Sequence, residues 1–333
     1  MRVTVMGAGG YIGSRLVPAL LADGHEVTAT FTDPARARRF PWAGAVRVAG
    51  LDVADRAAAR DAVAGSDALV YLVHGLAGPD FTTADREGAY NAAHAAVRAR
   101  VGRIVYLGGL VPDVPEGDLS PHLRSRLEVE QVFGDSGVPT WALRAAMVVG
   151  AGSTSFEIMR QLSRRLPVQV VPSWMRSAVE PVAASDVVAA LAGALTATGA
   201  GRTYDVGSGE RMSYAALLRL YARLAGGRAL QVPALLPTAF VARVAPLFTD
   251  VPASTVRSLV ASLRHDMVCR DEDYVQDLLG PGSRPLPVAD AIARALAAPN
   301  LSGSGASGAG AVDPLGPLPT DPAWARPPGR APA

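Results

Sequence analysis

Cysteine occurs once, at Cys269, in a chain of 333 residues. That excludes an intrachain disulfide and a thiolate metal cluster, and it fits a reducing compartment such as the cytoplasm. Lysine is absent: all 32 basic residues are arginine. No site can therefore rest on a lysine ammonium. Histidine is sparse, and His25, His74, His94, His122 and His265 show no metal-ligand spacing, so no bound metal is expected. Excess charge of either sign is missing too. The net charge is +2, without a long basic run, which disfavours nucleic acid as a ligand. Unbroken apolar runs of the ~20 residues needed to span a bilayer are also lacking. Residues 230–263 come nearest, but Pro233, Pro237, Pro246, Pro252 and Arg243 interrupt them. That stretch reads first as the core of a cap, second as the wall of a greasy pocket, and last as a membrane contact. The chain opens directly into an apolar strand, leaving no room for a signal peptide, and a cytoplasmic protein is expected. Composition asks for no more than a monomer or homodimer.

What is present is organised around Arg2 to Thr30. An apolar strand ends at Gly7, a glycine turn follows through Gly9, Gly10, Tyr11, Ile12 and Gly13, and a helical pattern begins near Gly10. Gly7 allows the tight turn, Gly10 lets the backbone approach a pyrophosphate, and Gly13 lets the helix pack on the strand. The helix N-terminus presents free N–H groups to the phosphates. Ile12, Leu16 and Leu20 recur at helical spacing and face the sheet. Tyr11 reads as a lid over the cofactor. Glu26–Thr30 closes the strand–helix–strand unit.

Downstream, apolar stretches alternate with helical ones. The strand expected at 46–53 ends in Asp52-Val53, beside the adenine. The 67–73 strand, which shows no polar alternation and reads as fully buried, reaches Val73 and His74 at the ligand-binding sheet edge, 103–107 ends in Gly108-Gly109, and Pro139–Val149 is the sixth strand. This predicts an α/β fold of the Rossmann type, a doubly wound parallel sheet over residues 1–150. Residues 151–298 supply a smaller substrate cap with returns to the core, and the Gly/Ser/Pro-rich 299–333 read as a disordered tail. Ser185-Asp186 and Ser213 are expected to cap helices. After the second strand no acid stands at the strand end. Thr32 is followed by a late Asp33 and then Arg36, Arg38 and Arg39, a pattern that favours NADP(H) over NAD(H).

The Gly7-x-x-Gly10-x-x-Gly13 spacing, with Tyr71–His74, Tyr106–Leu110, Ser120–Arg126, Leu143-Arg144 and Glu180–Val182 with Asp186, resembles the atypical short-chain dehydrogenases of the NmrA-like, NAD(P)H-binding group. The resemblance runs to about residue 298. It implies a Rossmann nucleotide domain, and an enzyme, a regulator or an epimerase-like protein. Active members of that group place Ser or Thr after the fifth strand and Tyr-x-x-x-Lys on the next helix. Here Gly108-Gly109 replaces the hydroxyl residue, and His122-Leu-Arg-Ser-Arg126 replaces the Tyr–Lys pair. Ser120 and Pro121 suit the start of a helix. His122 and Arg126 then share one face, His122 as candidate proton donor near neutrality and Arg126 as partner of ribose or phosphate. Without such a role, Arg124–Glu128 and Arg126–Glu130 would form surface pairs. His74 is a rival contact. Trp174, Met175 and Phe156 read first as core packing and second as pocket walls, His265-Asp266 as a remote acid–base pair, and Cys269 as buried filler. The reading is an NAD(P)H-dependent reductase of a small, apolar carbonyl or activated double bond. The alternatives are a non-catalytic cofactor-binding regulator or assembly factor, and an epimerase or dehydratase with tightly bound NAD.

Overall fold

The computed structural model describes residues 1–75, 81–166, 168–228, 230–297 and 313–325. The first half alternates β1 (Arg2–Met6), α1 (Gly13–Ala22), β2 (Glu26–Phe31), β3 (Arg47–Gly50), α2 (Arg56–Val63), β4 (Ala68–Tyr71), α3 (Phe81–Arg98), β5 (Arg103–Gly109), α4 (Pro121–Gly134) and β6 (Thr140–Ala145). The second half holds β7 (Met147–Val149), α5 (Thr154–Arg165), β8 (Val168–Pro172), β9 (Ala178–Val179), β10 (Pro181–Ala183), α6 (Ala184–Ala194), β11 (Thr203–Val206), β12 (Met212–Ser213) and α7 (Tyr214–Leu224). It ends with β13 (Leu230–Ala234), α8 (Thr238–Val244), α9 (Ala253–Ser262), α10 (Asp273–Asp277) and α11 (Val288–Leu296).

Seven strands form one parallel sheet in the order β11-β6-β5-β4-β1-β2-β3. Strand order reverses between β1 and β4, which opens the crevice where such sheets hold ligands. The central strands are apolar on both faces because helices cover both. On one face α1 and α6 bring Leu16, Val17, Leu20, Val187 and Leu191 onto Val5, Val70 and Leu143. On the other, α2, α3 and α4 bring Val63, Ala92, Ala96, Val129 and Phe133 onto Leu69 and Ile104. The expected doubly wound α/β sheet is the fold.

Three local departures have physical causes. The stretch Pro139–Val149 is two strands, because both neighbours of β6 stop in register with Ala145, at Gly109 of β5 and Val206 of β11. The chain then turns out of the sheet, and β7 pairs with β10. Ser185-Asp186 does not cap α6. The helix begins at Ala184, and Asp186 sits in its first turn with its carboxylate accepting from the Leu286 N–H at 2.8 Å. The third departure concerns the tail. Residues 313–325 are packed: Leu315 is fully buried, and its carbonyl accepts from the Ala151 N–H at 2.9 Å. Composition hid this because Leu315, Leu318 and Trp324 are scattered among prolines and small residues. The remaining tail positions lie outside the described residues. No helix among the described residues is long and apolar enough to cross a membrane.

Within α1, Pro18 has no N–H to give the Ser14 carbonyl one turn back. The indole N–H of the buried Trp42 fills that place at 3.3 Å. Trp42→Phe is expected to cost about 1–2 kcal/mol for an orphaned buried carbonyl plus lost packing. In a Pro18→Ala background the same change should cost less, because the helix then supplies its own donor. Urea denaturation of the four proteins in that cycle measures the difference.

Candidate functional site

β1 runs into the glycine turn. Gly7 has φ 89°, a left-handed conformation, and its carbonyl accepts from the Gly10 N–H at 2.9 Å. A Cβ on Gly13 would lie 2.3 Å from the Gly7 carbonyl oxygen, so only glycine lets α1 start there. The helix begins at Gly13 rather than Gly10. Its N-cap, Ile12, supplies no side-chain cap. The Tyr11 and Ile12 N–H groups have no partner among the described residues. These are the unfilled donors that an anion would take.

A cavity of about 1050 Å³ opens over this turn. Gly7, Gly9, Gly10, Tyr11, Ile12, Gly13, Thr32, Arg36, Asp52, Val53, Val73, His74, Gly108, His122 and Arg126, all expected from sequence, line it together. Of the three arginines after the second strand, Arg36 and Arg39 line the cavity and Arg38 does not. Asp33 is engaged in capping the 3₁₀ turn Pro34–Arg39, accepting from the Ala35 N–H at 3.0 Å. The far half of the cavity is apolar, with Met147, Ile158, Met159, Leu217, Leu259 and Leu263.

Ser120 caps α4 as expected, accepting from the Leu123 N–H at 3.3 Å. The pairs Arg124–Glu128 and Arg126–Glu130 do not form. Glu130 turns inward to Arg144, bound at 2.8 Å through both guanidinium ends, and accepts from Thr203 Oγ1 at 2.9 Å. Arg126 is buried, and no acidic side chain pairs with its guanidinium among the described residues; the Tyr106 hydroxyl lies beside it. The guanidinium faces His122 and His74. Burial, with Arg126 adding to it, pulls the His122 pKa down to about 3. The His74 side chain lines the cavity, and desolvation there, then Arg126 and His122, holds its pKa well below the usual imidazole value. Both rings are neutral at pH 7, and His122 Nδ1 is buried without a partner. Sequence alone gives His122 a near-neutral pKa, because the burial of that ring, with Arg126 beside it, is visible only in three dimensions.

Sequence reasoning missed three features. Asp85 is buried between the end of β4 and α4, accepting from the Gly75 N–H at 2.6 Å and Ser125 Oγ at 2.9 Å. Arg15, one turn into α1, is 1% exposed and pairs with Asp321 at 2.9 Å. Thr320, Asp321, Pro322, Ala323 and Trp324 thereby line the cavity. An arginine inside an otherwise apolar helix face was the available signal for Arg15; the tail carried none. Of the other candidates, Met175 lines the cavity. Phe156 is core, packed against Tyr221 at 5.8 Å between ring centroids, and Trp174 donates to the Leu236 carbonyl at 3.1 Å. His265 and Asp266 do not pair: Asp266 accepts from the Ala178 N–H at 2.7 Å, and His265 is half-buried beside Arg264. Cys269 is buried, and that burial raises its pKa. Tyr11 lies under the Arg15 guanidinium at 3.9 Å, its hydroxyl buried without a partner.

A glycine cradle at the switch point of a parallel sheet defines a dinucleotide-binding α/β protein. Residues 7–169 match the NAD(P)H-binding family, which agrees with the resemblance read from the sequence. Uncharacterized proteins of Mycobacterium tuberculosis and Mycobacterium bovis are 27% identical over 186 residues, which cover 56% of this chain and 19% of theirs. The chain thus spans about a fifth of the length of these curated relatives. Among solved structures, a Staphylococcus aureus nucleoside-diphosphate-sugar epimerase has a TM-score of 0.70 at 15% identity, covering 88% of this chain and 100% of that one. The Citrobacter sp. triphenylmethane reductase complexed with NADP(H) has 0.69 at 20%, covering 89% and 100%. The Escherichia coli NADPH-dependent quinone oxidoreductase has 0.67 at 19%, covering 88% and 99%. These likenesses are of fold.

Two outcomes follow. A histidine held neutral in the folded state must take up a proton on unfolding once the pH is below its unfolded pKa of ~6.5. His122 therefore withdraws stability as pH falls from ~6.5 toward about 3. At pH 5 the His122→Asn variant is expected to recover about 1–2 kcal/mol relative to its own deficit at pH 7, read from denaturation midpoints. Arg15→Leu leaves Asp321 buried without its cation and should cost about 3–5 kcal/mol. Hydrogen exchange should show residues 313–325 losing protection before the rest of the chain.

Proposed function

We propose that the protein is an NADPH-dependent reductase of flat, apolar, conjugated acceptors such as quinones and enones. The observation that carries this reading is a cavity with a phosphate-binding glycine turn and free cations at one end and an apolar wall at the other. The residues fit the cofactor. The unfilled Tyr11 and Ile12 N–H groups suit a pyrophosphate, Arg36 and Arg39 suit a ribose 2′-phosphate, and Asp33 is occupied in capping rather than free for a 2′-hydroxyl. Arg126, buried and unpaired with acid, suits a phosphate or ribose oxygen. Bound there, NADPH supplies a hydride.

The residues opposite do modest work, in keeping with an acceptor that needs little help. Hydride added to a conjugated carbonyl leaves its negative charge on an oxygen, and one proton completes the reduced product. His122, neutral, offers an N–H to that oxygen as a hydrogen-bond donor rather than an imidazolium, and Arg126 favours the developing charge. No tyrosinate–ammonium pair is then required, and the chain has no lysine to make one. Of two similarly folded reductases, one acts on a quinone, an acceptor of this kind, and the other on triphenylmethane dyes, which accept hydride at a conjugated carbocation. A second reading, a cofactor-binding protein without turnover, is favoured by the same missing lysine.

The experiment is NADPH oxidation in the presence of benzoquinones, naphthoquinones and a triphenylmethane dye. Turnover is expected with at least one. Arg36→Ala with Arg39→Ala should raise the KM for NADPH by about tenfold or more, the worth of one charge-assisted hydrogen bond, and leave that for NADH nearly unchanged. His122→Phe should lower kcat without moving that KM. Tight NADPH binding with no oxidation under any acceptor would establish the second reading instead.

A further inference from the structure

The strongest feature outside the cavity is a ribbon built inside out. β8 and β13 pair in parallel, with Val168 opposite Leu230 and Val170 opposite Val232. All four of these side chains are exposed. The alternate positions, Gln169 and Gln231, point inward, where Gln231 Nε2 donates to the Ala215 carbonyl of α7 at 2.9 Å. A half-buried strand in water alternates the other way. The apolar surface continues along the chain. Leu235 is 91% exposed, Phe240 on α8 is 52% exposed, and Leu247 just beyond is 78% exposed. The Trp174 indole holds the Leu236 carbonyl, tying the end of β8 to the segment that leads into α8. Apart from Met1, Tyr90 and Val97, every exposed large apolar side chain among the described residues lies in this part of the cap.

Charge selects the partner. Residues 158–179 and 211–249, which supply the ribbon and α8, contain no aspartate or glutamate. Their charges are all arginine, and Arg164, Arg176, Arg223, Arg228 and Arg243 are exposed without an acidic partner among the described residues. Apolar side chains rimmed by one-signed arginines match an anionic bilayer surface, where the side chains enter the acyl boundary and the guanidinium groups meet lipid phosphates. A second copy fits worse, since a two-fold contact sets the same arginines against each other. We infer that this face of the cap, formed by β8, β13 and α8, docks on anionic membrane lipid. The inference does not depend on the reductase reading.

The test is co-sedimentation of the full chain with vesicles of phosphatidylcholine alone or mixed with phosphatidylglycerol. Binding is expected with the mixed vesicles only. It should fall at ~1 M salt, where the Debye length shrinks to ~3 Å. Phe240→Asp with Leu247→Asp should weaken binding at least tenfold, with thermal melting and NADPH fluorescence titration unchanged. Should that variant fail to fold, Arg228→Glu with Arg243→Glu carries the same expectation. Absence of wild-type binding to the mixed vesicles overturns the inference. So does binding that ignores these substitutions, or a dimer in sedimentation equilibrium that Phe240→Asp dissolves and that leaves no vesicle-bound fraction.

Discussion

One guanidinium joins the parts of this molecule. Arg15 donates to the carbonyls of Pro314, Tyr11, Ala151 and Gly316 at 2.9–3.0 Å, and to both oxygens of Asp321. Three segments far apart in sequence meet on it: the glycine turn, the turn after β7, and the returning tail. A buried cation is tolerable only when every donor is filled and a carboxylate balances it. Arg15 satisfies both conditions, and in doing so fixes the wall of the cavity relative to its floor.

Arg126 is the complementary case. It is nearly as buried as Arg15, but no carboxylate of the chain approaches it among the described residues. Glu130, one turn away and expected to pair with it, is drawn off by Arg144 and Thr203. The charge stays unspent at the cavity edge, where low dielectric strengthens its pull on an anionic ligand. Burial, with that field adding to it, keeps His74 and His122 neutral. The two arginines differ in whether the protein supplies the counter-charge: Asp321 answers Arg15, and no carboxylate among the described residues pairs with Arg126.

The nucleotide half was legible because its signals are local. A strand, three glycines at fixed spacing and the helical recurrence of Leu16 and Leu20 lie within two dozen residues, and each is read from its neighbours. The cavity lining from Gly7 to Arg126 followed from strand ends in a parallel sheet, whose carboxyl edge gathers them. What escaped was set by distant partners. The end of β6 is decided by where β5 and β11 stop. The fate of Glu130 is decided by Arg144, across from it on the sheet. The order of residues 313–325 is decided by Arg15, some three hundred positions earlier, and a Gly/Pro-rich composition gives no hint that a binding place awaits it.

That distance bears on how the chain is made. Synthesis delivers the glycine turn and α1 before the central strands, which complete the nucleotide half while the ribosome is still working. Throughout that time the Arg15 guanidinium has water where Asp321 will stand, and the cavity lacks one side. The cradle for the phosphates is therefore an early structure, while the chamber beside it closes only when residue 321 has emerged. A nascent protein caught between those moments would hold a nucleotide with its reactive end open to solvent.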